Sequence, residues 1–266
     1  MYIVESIKKV DKYFGIVGIT IGNFEGFHRG HQKILRTLKD GCKKRGLKSA
    51  VLTFKTHPLK IIRGFEPERL WSHNDKIKTF IGEGIDFLIC IDFTLSFADT
   101  TAEDFIEGLA HKVNPKFICL GEEFRFGRGN AGSVGLVEKY SNIFEYDFIK
   151  VRDELFDGDA ISSTRIRQAI KSGDIKSASK MLGRNYSFYL KFVGMEYFEP
   201  FLSNQALPHR GEFTGMLLLP NTGVKAKARV LFPERRIEII KNKAGRFNPI
   251  NIGAPEQTLF SFEFSS

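Results

Sequence analysis

Several features are scarce in this sequence of 266 residues, and each scarcity excludes a class of protein. Its three cysteines, Cys42, Cys90 and Cys119, are odd in number and show no CxxC spacing, which argues against a disulfide framework. Cys90 and Cys119 lie in apolar runs, as reduced, buried thiols of a cytoplasmic protein would. No apolar run approaches the roughly 18 residues that a membrane helix needs, and the start of the chain lacks the apolar core of a secretion signal. The sequence therefore predicts neither a membrane protein nor a secreted one.

Acidic residues are also in deficit, with 31 Asp and Glu against 40 Lys and Arg, and the formal charge is +9. Such an excess suits nucleic acid, a membrane surface or a small phosphorylated ligand. A basic nucleic-acid-binding protein would place stacking aromatic residues among its basic ones, yet no aromatic residue lies between Gln32 and Gly46 in the basic segment. We therefore expect no nucleic-acid partner. A solvated helix face is the simpler interpretation of KDGCKKRG.

Apolar, β-branched runs alternate with helix-period segments up to Leu182. The pattern predicts strands at 16–22, 48–54, 86–91, 116–121 and 143–149. It predicts helices over 31–46, 67–83, 102–112 with Thr101 as cap, after Ser162, and over 174–182. Alternating strands and helices are typical of an α/β fold whose parallel sheet is covered on both faces, with ligands bound at the carboxyl ends of the strands.

Beyond Leu182 the pattern changes to alternating apolar and polar residues separated by turn clusters. The segments 224–230, 235–240 and 258–264 read as strands without helices between them. We therefore predict an α/β domain over 1–185 and a smaller antiparallel, β-barrel-like domain over 186–266.

The segment GNFEGFHRGH, residues 22–31, carries the strongest chemical signal. It follows a predicted strand and opens a helix, whose free N–H groups and positive dipole end suit phosphate. His28 and His31 lie three residues apart and can share one side of the first helical turn. Two imidazoles and backbone donors could hold the oxygens of a triphosphate, whereas a zinc site lacks a convincing third and fourth ligand. The plainer alternative is a polar turn at the surface.

The segment SSTRIR, residues 162–167, begins another predicted helix. Ser and Thr in front of an apolar-periodic segment are most simply an N-cap. Their hydroxyl and N–H groups also suit phosphate, and the presence of the first motif favours that role.

GNFEGFHRGH resembles the HxGH signature of the nucleotidyltransferase superfamily. More narrowly it is similar to the start of bacterial FAD synthetases, the FMN adenylyltransferase half of bifunctional riboflavin kinase/FAD synthetases. LTFKTHP (52–58), LGEEFRFGRGNAG (120–132) and ISSTRIRQAIKSGDIKSASKMLGRNY (161–186) are similar to further segments of that family, in the same order. HxGH alone indicates the superfamily, and the four segments in series indicate the family. The resemblance implies a Rossmann-like nucleotidyltransferase fold.

The resemblance implies transfer of AMP from ATP to FMN, giving FAD and pyrophosphate with no covalent enzyme intermediate. Mg²⁺ would accompany ATP, held by substrate oxygens and water rather than by a protein metal site. The partners would be these small molecules, with no membrane, and the sequence does not decide the oligomeric state. The implied catalytic residues are His28, His31, Ser163 and Arg167, while Arg165 would point elsewhere. The implied ATP-binding residues are Gly22, Asn23, Phe24, Gly26, Gly30, Ser162 and Thr164.

The implied FMN-binding residues are Phe54, His57, Glu123, Phe124 and Phe126. For Phe54, packing in the core is the better interpretation, and for Phe124 and Phe126 it is an equally good one. His57 could be a loop residue in front of Pro58. Three positions depart from the family pattern. Glu25 stands where Asp is usual, Glu123 where Asp or Asn is usual, and Thr56 where Pro is usual.

The second domain departs further from the family. The riboflavin kinase module carries Gly-x-Pro-Thr-Ala-Asn, and no Pro after residue 186 is followed by Thr-Ala-Asn. The nearest segments, 219–223 and 247–253, do not fit. The chain also ends after a strand-like segment where the family would continue with a helix. We expect a degenerate module without kinase activity. The alternatives are a bifunctional riboflavin kinase/FAD synthetase and a nucleotidyltransferase for another phosphorylated acceptor.

Overall fold

The computed structural model describes residues 1–7, 16–194, 197–200, 204–218, 225–232, 236–239 and 259–265. Contacts divide the chain into two compact units. The first unit comprises residues 1–67 and 73–161, and the second comprises 68–72 and 162–266. Five residues between Pro67 and His73 thus belong to the second unit. None of the helices in the described part of the chain is both long and apolar enough to span a membrane.

The first unit is built on a parallel sheet. Its strands are β1 (Tyr2–Val4), β2 (Val17–Ile21), β3 (Lys48–Phe54), β4 (Phe87–Ile91), β5 (Pro115–Gly121), β6 (Arg125–Phe126), β7 (Gly132–Ser133), β8 (Asp147–Val151), β9 (Leu155–Phe156) and β10 (Asp159–Ala160). Six of them form the sheet, in the order β1-β4-β3-β2-β5-β8, and every neighbouring pair is parallel. The β6–β7 and β9–β10 pairs are separate antiparallel ribbons.

The strand order places a topological switch beside β2. From β2 the chain passes to β3 on one side, and the later strand β5 pairs with β2 on the other. Such a switch opens a crevice at the carboxyl ends of the two strands, which is where parallel α/β sheets bind ligands. In this unit those ends are Ile21 and Gly121.

Six α-helices accompany the sheet in the part of the first unit that the structure describes. They are α1 (Arg29–Arg45), α2 (Pro58–Arg63), α3 (His73–Gly82), α4 (Leu95–Ala98), α5 (Ala102–Val113) and α6 (Val134–Phe144). α1 buries Leu35, Leu38 and Cys42 and ends at Gly46 in the left-handed conformation. It approaches β5 so closely that a Cβ at Gly41 would lie 2.2 Å from the Phe117 ring, so the glycine permits this packing.

The second unit begins with two helices, α7 (Ser163–Ser172) and α8 (Ile175–Leu182). Its strands are β11 (Ser187–Gly194), β12 (Tyr197–Pro200), β13 (Gly211–Leu218), β14 (Lys225–Phe232), β15 (Arg236–Ile239) and β16 (Leu259–Phe264). They form an antiparallel sheet in the order β12-β11-β16-β13-β14-β15, with Phe188, Phe262 and Phe264 buried among its side chains.

The predicted fold class is confirmed: a Rossmann-like parallel sheet with helices, and a separate antiparallel sheet. Two predicted elements were wrong in extent. Residues 143 and 144 end α6 instead of starting a strand, and residues 68–72 are not helical. By contacts, α7 and α8 group with the second compact unit, which resumes at Ser162. The functional domain boundary stays a prediction. The segments 219–223 and 247–253, compared above with the kinase motif, lie outside the described residues.

Candidate functional site

The turn between β2 and α1 has an unusual backbone. Gly26 has a φ of 74°, and the non-glycine residues Phe24 and Phe27 also lie in the left-handed region, with φ of 50° and 44°. A non-glycine residue there costs on the order of 1–3 kcal/mol, which the surrounding structure must offset. Glu25, Gly26 and Phe27 form a short, buried 3₁₀ turn that directly follows Phe24. Backbone strain of this kind is concentrated at ligand-binding sites.

The two histidines of this segment stack on each other. Their ring centroids are 3.7 Å apart, with 21° between the planes. His28 is buried and immediately precedes α1, and His31 lies in its first turn. Gly30 makes the pairing possible, because a Cβ there would lie 3.2 Å from two atoms of the His28 ring. The motif thus brings both imidazoles to the amino end of a 17-residue helix.

The His31 imidazole is held in its neutral form. Burial of the ring, and then the neighbouring side chains of His28 and Lys76, keep its pKa well below the usual value. Its Nδ1 is buried and has no hydrogen-bond partner among the described residues. A buried, unpartnered ring nitrogen is costly unless a ligand or water satisfies it, which is what a binding site provides.

A cavity of about 210 Å³ opens on the histidine pair, and we call it the histidine cavity. Its lining includes residues at the carboxyl ends of β2, β5 and β8. The lining residues are Ile21, Gly22, Asn23, Phe24, His28, Gly30, His31, Ile34, Gly121, Glu123, Phe124, Val151, Arg152, Asp153 and Ile161. Burial and the neighbouring carboxylates of Glu122 and Glu123 raise the pKa of Asp153.

A second cavity, of about 510 Å³, lies in the same unit, and six phenylalanines are among the residues that line it. We call it the aromatic cavity. Its lining includes residues of α2, α4 and the β6 region: Ile21, Phe54, Pro58, Ile62, Arg63, Phe93, Leu95, Phe97, Ala98, Asp99, Thr100, Phe105, Phe124, Arg125, Phe126, Gly127, Arg128, Gly129 and Asn130. Its size and apolar lining are typical of a cofactor-sized ligand site.

The aromatic rings of this cavity contact one another in series. Phe54 meets Phe93 and Phe97 edge-on, with centroids 5.2 and 5.9 Å apart. Phe97 meets Phe105 at 6.0 Å, and Phe105 meets Phe126 at 5.4 Å. Edge-to-face contacts of this kind stiffen the wall, so it presents a fixed apolar surface.

The two cavities share two lining residues, Ile21 and Phe124. Ile21 ends β2, and Phe124 follows β5, so the cavities meet at the topological switch of the sheet. The Phe124 ring stacks on Phe126 with centroids 5.5 Å apart, which leaves no room for a ligand ring between them. Ligands in the two cavities would therefore approach each other across Phe124.

The structure brings most of the predicted site residues to these cavities. Eight line the histidine cavity: Gly22, Asn23, Phe24, His28, Gly30, His31, Glu123 and Phe124. Phe54, Phe124 and Phe126 line the aromatic cavity. Gly26 lies within the strained turn. His57 caps α2, with its Nδ1 accepting from the Leu59 N–H at 3.2 Å, and is not among the residues that line either cavity.

The remaining predicted residues belong to the second unit, at the start of α7. Ser162 is the N-cap, and its hydroxyl accepts from the Arg165 N–H at 3.3 Å. Ser163 and Thr164 form the first turn. The Nε of Arg167 donates to the Glu68 carbonyl within this unit. The N-cap is confirmed, whereas phosphate binding by these four residues stays a prediction.

Sequence reasoning missed several lining residues. Phe93, Phe97 and Phe105 lie outside every recognised motif, and so does Arg63 of the aromatic cavity. Arg125 and Arg128 lie within the segment 120–132, but neither was predicted as a site residue. One signal was available, because these phenylalanines follow β4, whose carboxyl end lies at the ligand-binding edge of a parallel sheet. No group of three or more His, Cys, Asp or Glu side chains in the described part of the chain is placed to hold a metal ion.

Comparison with known proteins agrees with this geometry. Residues 15–165 match the family model described as FAD synthetase, a class of nucleotidyltransferase enzymes, and this match covers more than half of the chain. The chain belongs to the FAD synthetase family.

Curated relatives include the bifunctional riboflavin kinase/FMN adenylyltransferase of Buchnera aphidicola subsp. Acyrthosiphon pisum. It is 34% identical over 189 residues, which are 70% of this chain and 60% of that protein. The protein of the same description from Escherichia coli K12 is 34% identical over 171 residues, or 64% of this chain and 55% of that protein. The aligned part thus spans little more than half the length of these relatives.

A solved structure supports the fold across both units. A crystal structure described as a macrolide-efflux protein from Streptococcus pneumoniae matches 98% of this chain and 96% of its own, with a TM-score of 0.83 and 22% identity. At that identity the likeness shows the fold alone.

Proposed function

We propose that the protein is an FMN adenylyltransferase, which transfers AMP from ATP to the 5′-phosphate of FMN and releases pyrophosphate. The observation that carries the proposal is the junction of the two cavities at Ile21 and Phe124. A nucleotide at the histidine pair and a flavin in the aromatic cavity would present their phosphates to each other there. Supporting this assignment, the relatives named above are described as FMN adenylyltransferases.

In this proposal the histidine cavity takes ATP. His28 and His31 donate hydrogen bonds to phosphate oxygens, and the amino end of α1 adds backbone N–H groups and a positive dipole. These donors accelerate the reaction most if they stabilise the negative charge that develops on the leaving pyrophosphate as its bond to the α-phosphorus breaks. By resemblance to the family, Ser162, Ser163, Thr164 and Arg167 would contribute further phosphate contacts.

The aromatic cavity takes the flavin. Isoalloxazine is a large, flat, mostly apolar ring, and rings such as Phe54, Phe97 and Phe105 offer it a matching wall. FMN held this way has its phosphate free to attack in line. Catalysis is then mostly alignment of the two substrates, since holding reactants in an attack geometry accounts for a large part of such a barrier.

Divalent metal would enter with the nucleotide. The described residues fit an ion carried by ATP, because they lack a three-ligand metal group while the histidine cavity is lined by two carboxylates, Glu123 and Asp153. When bound, Mg²⁺ would neutralise charge on the phosphates that leave as pyrophosphate. The protein groups around it would orient the triphosphate and exclude water.

We further propose that the protein works in the cytoplasm and does not phosphorylate riboflavin, although its relatives are described as bifunctional. Reduced thiols fit that compartment, and all three cysteines are free and buried. The proposal that riboflavin kinase activity is lacking rests on the sequence after residue 186, which contains no Pro-Thr-Ala-Asn. Incubation with riboflavin, ATP and Mg²⁺ tests it: no FMN or FAD should form, and sustained turnover of riboflavin would overturn this part.

The adenylyltransferase assignment is tested by incubating purified protein with FMN, ATP and Mg²⁺ and following FAD by chromatography. FAD should accumulate with one pyrophosphate for each molecule made. Transfer of nucleotide to a different phosphorylated acceptor, with none to FMN, would favour the second candidate, a nucleotidyltransferase of other specificity. The aromatic cavity favours the flavin, because an acceptor without a ring would leave that wall uncovered.

A further inference from the structure

Helix α3 carries a buried lysine that no recognised motif includes. Lys76 is 5% exposed, and Phe80, one turn further on, is fully buried. They are the two buried residues of α3, and at a spacing of four they share one face of the helix. A lysine is almost never buried to this extent without a specific partner.

Two of the partners of Lys76 are main-chain carbonyls beside the two cavities. Its Nζ donates to the carbonyl oxygen of Asn23 at 2.9 Å and to that of Phe54 at 3.3 Å. Asn23 lies in the turn after β2 and lines the histidine cavity. Phe54 ends β3 and lines the aromatic cavity. One ammonium group therefore ties together a residue from each cavity.

The same face of α3 supports the strained turn. The Phe80 ring meets the Phe24 ring edge-on at 5.4 Å and the Phe27 ring at 5.9 Å. These are the two phenylalanines in the left-handed conformation. Lys76 holds the carbonyl of Asn23, immediately before Phe24, and the hydroxyl of the buried Thr53 also donates to that carbonyl at 3.3 Å. α3 thus fixes the turn through an apolar contact and a charged one.

We propose that Lys76 is a positioning residue for nucleotidyl transfer, whose buried ammonium locks the histidine-bearing turn to the flavin-side end of β3. This inference rests on the proposed function and deepens it, because it adds a residue outside every recognised motif to the groups that position the two substrates. It sets the distance between the two substrates by fixing Asn23 against Phe54. A misplacement of about 1 Å in such a site can lower the rate by about 100-fold.

Packing alone does not explain a lysine at this position. Burying an ammonium group costs several kcal/mol unless hydrogen bonds compensate, and an apolar side chain of similar volume would fill the space without that cost. The charge also acts on the site, since Lys76 contributes to the lowered pKa of His31. Other ionisable or charged groups near His31 are His28, stacked on it, and, across the cavity, Glu123, Arg152 and Asp153.

The test compares Lys76→Met with Lys78→Met, the same substitution at an exposed position of the same helix. Lys76→Met should lower kcat for FAD formation by about 10- to 100-fold, while Lys78→Met should leave it unchanged. Removing the charge should also move the titration of His31 to higher pH, so the corresponding step in the pH profile of kcat/KM should rise with it. A variant that loses activity without this pH change would show a merely structural role and overturn the proposal, as would unchanged activity.

Two further measurements keep the test decisive. Phe80→Leu weakens the apolar support of the same turn but keeps the charge, so it should lower kcat and leave the pH step in place.

If Lys76→Met does not fold, an NMR titration of His31 in the unmodified protein is used, and an ordinary midpoint would refute the electrostatic role. If the unmodified protein makes no FAD, the proposed function fails. The histidine titrations of Lys76→Met and Lys78→Met still test Lys76 without any turnover.

Discussion

The imidazole rings of His28 and His31 stack 3.7 Å apart at the start of α1, with Gly30 beneath the His28 ring. Two stacked imidazoles cannot both carry a positive charge at low cost, and the depressed pKa of His31 is partly the result of His28 beside it. The pair is therefore ready to receive an anionic group that would favour protons on both rings. A triphosphate is such a group.

Gly30 should tolerate no side chain. In Gly30→Ala the new Cβ would lie 3.2 Å from the His28 ring, so the ring must move. We expect a loss of about 10-fold or more in kcat with little change in thermal stability. Gly135→Ala is the control, because its Cβ would meet nothing closer than 3.7 Å and it lies in α6. Steady-state FAD formation measures both variants, and wild-type kcat in Gly30→Ala would show that the ring position is not critical.

His28→Ala and His31→Ala should each lower kcat more than they weaken FMN binding. The expected loss is on the order of 100-fold, by analogy with removing one preorganised donor from a transition-state site. The loss in the double variant should be smaller than the product of the two single losses, because the stacked rings act together. Turnover is followed by chromatography and FMN binding by flavin fluorescence. A double variant near wild-type turnover would refute the assignment.

Phe124 should matter to both substrates, since it lines both cavities. Phe124→Ala removes ring contact worth on the order of 1 kcal/mol or more, so the KM for FMN should rise about 10-fold. Tyr2→Ala, which truncates an exposed aromatic side chain on β1, is the control and should change neither KM. If Phe124→Ala behaves like the control, the shared wall has no part in binding.

Five strands of the parallel sheet, β2, β3, β4, β5 and β8, were predictable from sequence, and the reasons are local. KSAVLTF, residues 48–54, contains the strand formers Val51, Thr53 and Phe54, and it forms β3 with the same bounds. Thr101 was predicted as a cap, and its hydroxyl accepts from the Asp104 N–H. Residues 68–72 were predicted as helix because Leu70 fits the helical period. They instead leave the first unit, and Arg69 forms a β-bridge with Gln205, a pairing that no local pattern can reveal.

The residues of the candidate site likewise fall into those that the sequence predicts and those that only the structure reveals. The histidine pair was predictable because its residues are contiguous and the turn between strand and helix is short. The aromatic cavity was predictable only in part, because Phe93 and Phe97 meet Phe54 through tertiary packing, and Phe105 meets Phe97 in the same way. Lys76 was hidden for a further reason: a lysine on a helix is normally solvated, and only the three-dimensional structure shows that its ammonium is buried between two carbonyls.

Stability should fall on mild acidification. An unfolded chain has an imidazole pKa of about 6.5, whereas in the folded protein the pKa of His31 is held well below its usual value. Below about pH 6.5 the imidazole of the unfolded chain takes up a proton while that of the folded protein does not. The free energy of unfolding therefore decreases as pH falls, by up to about 1.4 kcal/mol per pH unit. Above about pH 7 both forms are neutral, and His31 adds no pH dependence to stability. Thermal unfolding between pH 7 and 5 should show a smaller decline in His31→Gln. Equal slopes in both proteins would contradict the assignment.

The most direct test of the central claim follows the α-phosphate of ATP. The protein is incubated with FMN, Mg²⁺ and ATP labelled at the α-phosphorus, and the products are separated by chromatography. The account predicts that the label appears in FAD and that the released pyrophosphate is unlabelled. It also predicts that His28→Ala, His31→Ala protein forms both products at least about 100-fold more slowly. Absence of label from FAD while the label enters another acceptor, or equal labelling by the double variant, would contradict it.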